Sequence, residues 1–201
     1  MRSTKGERTI AGELRNQFTI LLGLIAVAWT LEIIDQFLLR SVSRTTLDVY
    51  GIVPQSLIGL RGILFAPFLH GNFAHLIGNT IPFVVLGWLV MLRETSDFFI
   101  VSIIAGLSSG LGTWLIGRPG TIHIGASGVI FGYLGYLLLR GFFERSVLAI
   151  SLAIVTAILY GSLVWGVLPF QYGISWEGHL FGFIGGVVAA WMLANERKRG
   201  G

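Results

Sequence analysis

The 201-residue chain contains no cysteine and little charge. The absence of cysteine excludes disulfide bonds and thiol chemistry, and it leaves no redox signature from which to infer a compartment. Only 12% of the residues are charged, whereas soluble domains carry about 25%. So small a charged fraction cannot cover a surface that faces water. It indicates that lipid is the main solvent of this protein.

Apolar and small residues make up most of the chain. Hydrophobic residues account for 54%, the mean hydropathy is +0.78, and the 28 glycines suit helices that approach closely in lipid. Segments long enough to cross a hydrocarbon core of about 30 Å are predicted at 17–39, 68–92, 98–117, 126–140, 146–168 and 178–195. The first of these is interpreted as a membrane helix and not as a signal peptide. We therefore expect an all-α, polytopic membrane protein with six transmembrane helices.

The distribution of lysine and arginine predicts the orientation. With six spans, one side of the membrane carries Arg2, Lys5, Arg8, Arg15, Arg93, Arg140, Arg145, Arg197, Lys198 and Arg199, and the other carries Arg40, Arg44, Arg61 and Arg118. The richer side holds both termini, so the tails at 1–16 and 196–201 are predicted to be cytoplasmic, on either side of a membrane domain at 17–195. This pattern explains the net charge of +4 without a nucleic-acid partner. The long outer loop at about 40–67 is expected to contain folded or functional structure.

Several polar residues are predicted to share one depth in the membrane. Counted back from Arg140 at about 1.5 Å per residue, Ser127 lies about 10 Å below the outer surface. The same count places Asn79 at nearly this depth, with His75 one helical turn above it. His179 falls within a turn of Ser127. Ionisable groups in the membrane are costly, so this layer on three helices is a candidate functional site.

The loop before Ser127, at about 118–125, must then dip into the membrane. Irregular backbone is tolerated at that depth only where it is buried in protein or lines a watery cavity. A hydrolase requires such a cavity, because its reaction consumes water.

The sequence Gly125-Ala126-Ser127-Gly128 places a serine where a loop becomes a helix. The glycines permit a tight turn and a close approach of substrate backbone, and the helix N-terminus offers N–H groups to an oxyanion. Alone, the motif is more typical of a capping serine in a glycine-rich packing seam than of a nucleophile. One helix has a glycine stripe at Gly128, Gly132 and Gly135, and another has glycines at four-residue spacing at Gly178, Gly182 and Gly186. The two stripes predict close packing that brings Ser127 beside His179. Because no carboxylate is expected at this depth, the interpretation is a Ser–His dyad.

Three motifs together resemble the signature of the rhomboid family of intramembrane serine proteases. They are His70-Gly-Asn-Phe-Ala-His75-Leu-Ile-Gly-Asn79, Gly125-Ala-Ser127-Gly128 and Gly178-His179-Leu-Phe-Gly182, in the order typical of the family. The match spans about residues 60–190, in the six-helix form usual for bacterial members.

The resemblance implies a role for each site residue. Ser127 is the nucleophile and His179 the general base. The oxyanion hole corresponds to His75, Asn79 and the backbone N–H of Ser127. Phe131 corresponds to the aromatic residue that packs on the catalytic imidazole, where many members have tyrosine.

The resemblance also implies supporting roles outside the dyad. Gly125 and Gly128 flank the nucleophile, His70 matches a loop histidine of structural or water-site type, and Arg61 resembles a basic residue of the first loop. The stretch at 168–176 corresponds to a mobile cap over the site. Expected substrates are single-span transmembrane proteins within the lipid bilayer, cut near the outer boundary, and no cofactor is implied. The expected location is a bacterial cell membrane, and the oligomeric state is left open.

Three other functions were considered for this pattern. An inactive relative that acts as a scaffold would retain the fold and lose a reactive residue, yet Ser127 and His179 are both present. A metal hydrolase normally uses three protein ligands, and no carboxylate lies near His75. A channel or transporter would usually show repeats and paired broken helices.

Overall fold

The computed structural model describes residues 9–169 and 173–200, and 82% of these residues are helical. Its α-helices are α1 (Ile10–Ile34), α2 (Gly62–Phe65), α3 (Phe73–Met91), α4 (Thr95–Ile116), α5 (Ser127–Glu144), α6 (Val147–Tyr160) and α7 (Trp176–Gly200). Within the described ranges there is no β-strand, and a single bridge pairs Ile52 with His123.

The six long helices form a bundle with α5 at its centre. Helix α5 packs against α3, α4, α6 and α7, and α1 packs on the outside of α3. Helices α1, α3, α4, α6 and α7, the first and fourth with their irregular extensions, are long and apolar enough to cross a membrane. Helix α5 has 18 residues, about 27 Å, and most of its side chains are buried. The predicted all-α polytopic fold is confirmed.

The ends of the chain are more helical than the sequence suggested. Helix α1 begins at Ile10 and not near 17, because the Thr9 side chain accepts a hydrogen bond from the Gly12 N–H and caps it. It continues as a π-helix over Asp35–Ser43. Helix α7 reaches Gly200 instead of ending near 195. The tails predicted at 1–16 and 196–201 are therefore helical over residues 10–16 and 196–200, while residues 1–8 lie outside the described part.

Two further boundaries differ from the prediction. Helix α3 begins at Phe73 and not at 68, because the Asn72 side chain accepts a hydrogen bond from the His75 N–H and caps the helix there. Helix α5 continues one turn beyond Arg140, which was taken to mark its end. Arg140 is only 1% exposed and pairs with Glu144 one turn later. The charge is therefore inside the bundle, not in a loop.

An ion-pair network joins the helices at the end of the bundle that carries both termini. Glu144 pairs with Arg140 at 3.0 Å, with Arg197 at 2.5 Å and with Arg93. Arg197 also pairs with the buried Asp97. The network ties the start of α4 to the ends of α5 and α7, and it explains why the last turns of α7 are ordered.

The long first loop is folded, as expected. It contains 3-10 turns at Leu47–Tyr50, Leu57–Arg61 and Ala66–Phe68, in addition to α2. Arg61 donates a hydrogen bond to the Val49 carbonyl and lies over the Tyr50 ring, 4.6 Å from its centroid. The described contacts of Arg61 therefore hold this loop together.

Acidic residues anchor the loop to the end of α1. Asp35 pairs with Arg40, and Arg40 also pairs with Asp48. Burial raises the pKa of Asp48, against the effect of Arg40. Glu32, near the end of α1, is buried and accepts a hydrogen bond from the Gln36 amide.

Candidate active site

The glycine stripes of α5 and α7 pack directly against each other. A Cβ atom added at Gly182 would lie 2.0 Å from the Gly128 carbonyl oxygen, and one at Gly186 would lie 1.9 Å from that of Gly132. Backbones can approach this closely only at glycine, whose side chain is a single hydrogen atom. The predicted packing of the two stripes is confirmed, and it sets Ser127 and His179 on adjoining helices.

His179 is held in one orientation by a backbone group. The side chain is 7% exposed, and its Nδ1 lies 3.0 Å from the carbonyl oxygen of Gly166. A carbonyl can only accept, so Nδ1 carries the hydrogen and Nε2 has the free lone pair. The Phe131 ring stacks on the same imidazole, with centroids 4.0 Å apart and planes within 7°. The imidazole is thus fixed with Nε2 available as a base.

Ser127 is the first residue of α5 and is half-buried. Ala126 is the N-cap, and its carbonyl accepts hydrogen bonds from the Val129 and Ile130 N–H groups. Among the described residues, Ser127 makes no hydrogen bond to His179. The two residues are therefore on adjoining helix faces but not in hydrogen-bond contact. Such contacts are often long in the absence of substrate and tighten when it binds.

The turn before Ser127 touches two polar side chains of α3. Gly125 has a φ of +111°, a conformation that favours glycine. A Cβ atom there would lie 2.7 Å from His75 Nε2 and 3.4 Å from Asn79 Nδ2. Asn79 is 6% exposed, and its Nδ2 has no hydrogen-bond partner in the described chain. His75 and Asn79 thus pack directly against the turn that leads into Ser127.

The other two histidines have structural contacts. His70 is 2% exposed and packs edge-on against the His75 ring, with centroids 4.9 Å apart. His123, to which the sequence assigned no role, accepts from or donates to the Thr121 and Ser175 hydroxyls, each at 2.8 Å. Burial lowers the pKa of His123, while the nearby Glu177 acts in the opposite direction. His123 therefore connects the loop before α5 to the residue preceding α7.

Two features of the site were not predicted. The Gly166 carbonyl that orients His179 belongs to a 3-10 turn (Gly161–Val167), and no side-chain signal marks it in the sequence. The His123–Ser175 contact joins residues 52 apart in the chain. The predicted cap at 168–176 includes residues 170–172, which lie outside the described part, so its mobility stays a prediction. Residues 9–169 and 173–200 contain no cluster of His, Asp or Glu suited to a metal ion.

Comparison with known proteins identifies the family. The Rhomboid domain model matches residues 59–196. The chain is 43% identical to an uncharacterized protein of Mycobacterium tuberculosis (strain ATCC 25618 / H37Rv), over 98% of this chain and 81% of the relative. It is 27% identical to a Bacillus subtilis (strain 168) protein provisionally named rhomboid protease YdcA, over 65% of this chain and 66% of the relative. RHOMBOID-like protein 4 of Arabidopsis thaliana is 28% identical, over 65% of this chain and 33% of its own length. The chain therefore belongs to the rhomboid family, a membership that implies intramembrane protease activity.

Proposed function

We propose that the protein is an intramembrane serine endopeptidase that uses Ser127 as nucleophile and His179 as general base. The observation that carries the proposal is the fixed imidazole of His179, whose Nδ1 is bound to the Gly166 carbonyl. The helix that carries this imidazole packs backbone to backbone against the helix of Ser127 where Gly182 meets Gly128. Nucleophilic activation of a serine needs a base held in this way.

The first half of the reaction forms an acyl-enzyme. Ser127 Oγ attacks the scissile carbonyl carbon while its proton passes to His179 Nε2. The oxyanion that develops on the carbonyl oxygen accepts hydrogen bonds from the Ser127 N–H, Asn79 Nδ2 and His75. When the tetrahedral intermediate collapses, His179 gives the proton to the departing amine nitrogen, and the carbon–nitrogen bond breaks.

Hydrolysis of the acyl-enzyme returns the site to its starting state. A water molecule loses a proton to His179 Nε2 and attacks the ester carbonyl. When the second tetrahedral intermediate collapses, the ester carbon–oxygen bond breaks and the proton on His179 passes to Ser127 Oγ. The carboxylic acid product leaves and then loses its remaining proton to water. The imidazolium that forms twice is stabilised by the Gly166 carbonyl and by the face of the Phe131 ring.

A dyad is sufficient because a backbone carbonyl replaces the third member. In a triad, a carboxylate holds the histidine in the correct tautomer and stabilises its charged form. The Gly166 carbonyl fixes the same tautomer here. Side chains and backbone supply every group in the cycle, so the mechanism uses no cofactor.

The substrates that we propose are single-span transmembrane proteins, cut near the outer membrane boundary beside small residues. Because Gly125 and Gly128 have no side chains, His75 and Ser109 pack directly against the backbone on either side of Ser127. The membrane domain at 17–195 supplies the site, and nucleic acid has no part in the reaction.

We also propose a bacterial cell-membrane location with both termini in the cytoplasm. The excess of basic residues at the end that carries the termini supports this orientation. The chain has no cysteine, so in a single-cysteine variant maleimide can label only the introduced cysteine. A membrane-impermeant maleimide should label Thr45→Cys in intact cells and Glu94→Cys only after permeabilisation. The reverse pattern would contradict the orientation.

The test of the activity is cleavage of a single-span substrate by the purified protein in liposomes. Wild type should cleave, and Ser127→Ala and His179→Ala should each abolish cleavage. Ser151→Ala removes an exposed hydroxyl from α6 and should cleave as wild type does. Absence of cleavage by folded wild type would favour an inactive scaffold. Cleavage that survives Ser127→Ala would exclude this serine as nucleophile.

A further inference from the structure

A cavity of about 370 Å³ lies between α1 and α4, on the side of α3 where α1 packs. Residues of the folded first loop and the start of α5 complete its walls. Its lining includes Ala28 from α1, Leu64 from α2, Phe83 from α3, Gly106 from α4 and Val129 from α5. No part of the proposed reaction uses this space, although it extends to Asn79 and Ala126.

The hydroxyl groups that line the cavity are already satisfied. The Thr80 hydroxyl donates to the Leu76 carbonyl at 2.8 Å. The Ser102 hydroxyl donates to the Phe98 carbonyl and contacts the Tyr133 hydroxyl. The other polar lining residues, His70 and Asn79, have buried nitrogen atoms without a partner in the described chain. A buried water needs about two to four polar partners, so the part of the cavity away from His70 and Asn79 is suited to an apolar molecule.

The cavity opens sideways towards lipid. Leu64, Ile103 and Leu107 line it and are 69%, 60% and 51% exposed on the outer surface of the bundle. The stretch of α4 that forms one wall, from Phe98 to Leu107, is roughly 14 Å long. It lies well inside a membrane helix, so the opening faces the hydrocarbon core, which is about 30 Å thick.

We propose that this cavity binds one acyl tail of a bilayer phospholipid. An empty apolar space forfeits dispersion contacts along its walls. Hydrocarbon tails of the bilayer surround the opening. A tail that enters the cavity loses no bound water, because it comes from the dry core of the membrane. The tail fills the gap between α1 and α4 and packs behind Asn79 and Ala126. This inference does not depend on the protease activity.

The experiment is photolabelling in liposomes with a phospholipid that carries a diazirine in the middle of one acyl chain. Peptide mapping should find the adducts concentrated on cavity residues such as Ile103 and Leu107. Leu111 on the same helix is 45% exposed but lies outside the cavity, so it reports labelling by surrounding lipid. The cavity residues should be labelled several-fold more strongly than Leu111.

Two variants test whether the cavity itself captures the tail. Gly106→Leu fills the space, because a Cβ atom at Gly106 has only Val129 as a neighbour, at 3.7 Å. It should lower the labelling of Ile103 about tenfold, the effect of losing roughly 1.4 kcal/mol of binding. Gly23→Leu makes the same change on an exposed face of α1 with no neighbour within 4 Å, and it should leave labelling unchanged. If Gly106→Leu does not fold, Ala28→Phe fills the cavity from the facing wall.

Three results would overturn the proposal. The first is equal labelling of cavity residues and Leu111. The second is labelling of Ile103 that persists in a folded cavity-filling variant. The third concerns the source of the tail: a free fatty acid with the same diazirine, at the same molar fraction, should label Ile103 less than the phospholipid does. Stronger labelling by the fatty acid would assign the cavity to a free acid instead.

Discussion

The Phe131 ring lies parallel to the His179 imidazole, with centroids 4.0 Å apart and planes within 7°. Phe131 is one helical turn after Ser127, so the helix that begins with the proposed nucleophile also supports the proposed base. The carbonyl of Gly166 holds the same ring by its Nδ1. Two independent contacts therefore fix the imidazole, one from α5 and one from the 3-10 turn after α6.

Replacing Phe131 tests the importance of the stacked ring. Phe131→Leu keeps an apolar side chain but loses the flat contact, and we expect kcat to fall about fivefold, in line with roughly 1 kcal/mol for a stacked pair. Phe131→Tyr keeps the ring and should retain activity. Liposome cleavage rates check both variants. Equal rates for Phe131→Leu and wild type would show that stacking does not position His179.

Gly125→Ala should remove activity more than stability. The substitution places a Cβ atom 2.7 Å from His75 Nε2 and imposes a φ of +111° on alanine. We expect about 1–3 kcal/mol of strain and a loss of about 100-fold or more in kcat, as for an oxyanion donor. Gly120→Ala is the matched control, because its φ is +79° but no atom lies within 4 Å. Similar activity losses in the two variants would show that backbone strain, and not the contact with His75, causes the effect of Gly125→Ala.

Gly182→Ala should separate α5 from α7. The added methyl would lie 2.0 Å from the Gly128 carbonyl oxygen, so the backbones must move apart. Overpacking of this kind costs about 1–3 kcal/mol, and it also lengthens the distance from Ser127 to His179. The midpoint temperature of thermal unfolding and the cleavage rate should both fall. Gly23→Ala, in open space, should change neither. An active, fully stable Gly182→Ala would contradict the close contact.

Glu144→Gln should destabilise the fold without changing the chemistry. Glu144 pairs with three arginines, among them the buried Arg140. Removing the charge leaves Arg140 without its ion-pair partner, at a cost of about 3 kcal/mol. Unfolding should occur at a lower denaturant concentration, while the folded fraction should cleave substrate at the wild-type rate. Glu196→Gln, exposed on α7, is the control. Unchanged stability of Glu144→Gln would show that the network contributes little.

The features that the sequence predicts well are those that depend on composition and on the spacing of residues. Apolar length identifies the membrane helices, because the hydrocarbon core fixes how many residues must cross it. The glycine stripes of α5 and α7 identify their contact, because small residues leave one face where backbones meet. Together they predict that Ser127 and His179 belong to neighbouring helices, and the depth count adds His75 and Asn79.

The features that the sequence does not predict depend on backbone and on long-range contacts. The carbonyl of Gly166 has no side chain to mark it. The boundary errors at Ile10 and Arg140 arose because polar side chains were assumed to end a helix, whereas capping and ion pairs let the helices include them. The hydrogen bond between His123 and Ser175 joins residues that are distant in the sequence, so it can be recognised only in the folded structure.

The most direct test of the proposed chemistry is the site of covalent labelling by a fluorophosphonate probe. The probe reacts with a serine that a neighbouring base activates, so the purified protein in liposomes should carry a single adduct on Ser127. His179→Ala, which removes the base, should lose the adduct while remaining folded, and Ser151→Ala should keep it. An adduct on another serine, or labelling of Ser127 that is undiminished in folded His179→Ala, would contradict a Ser127–His179 dyad.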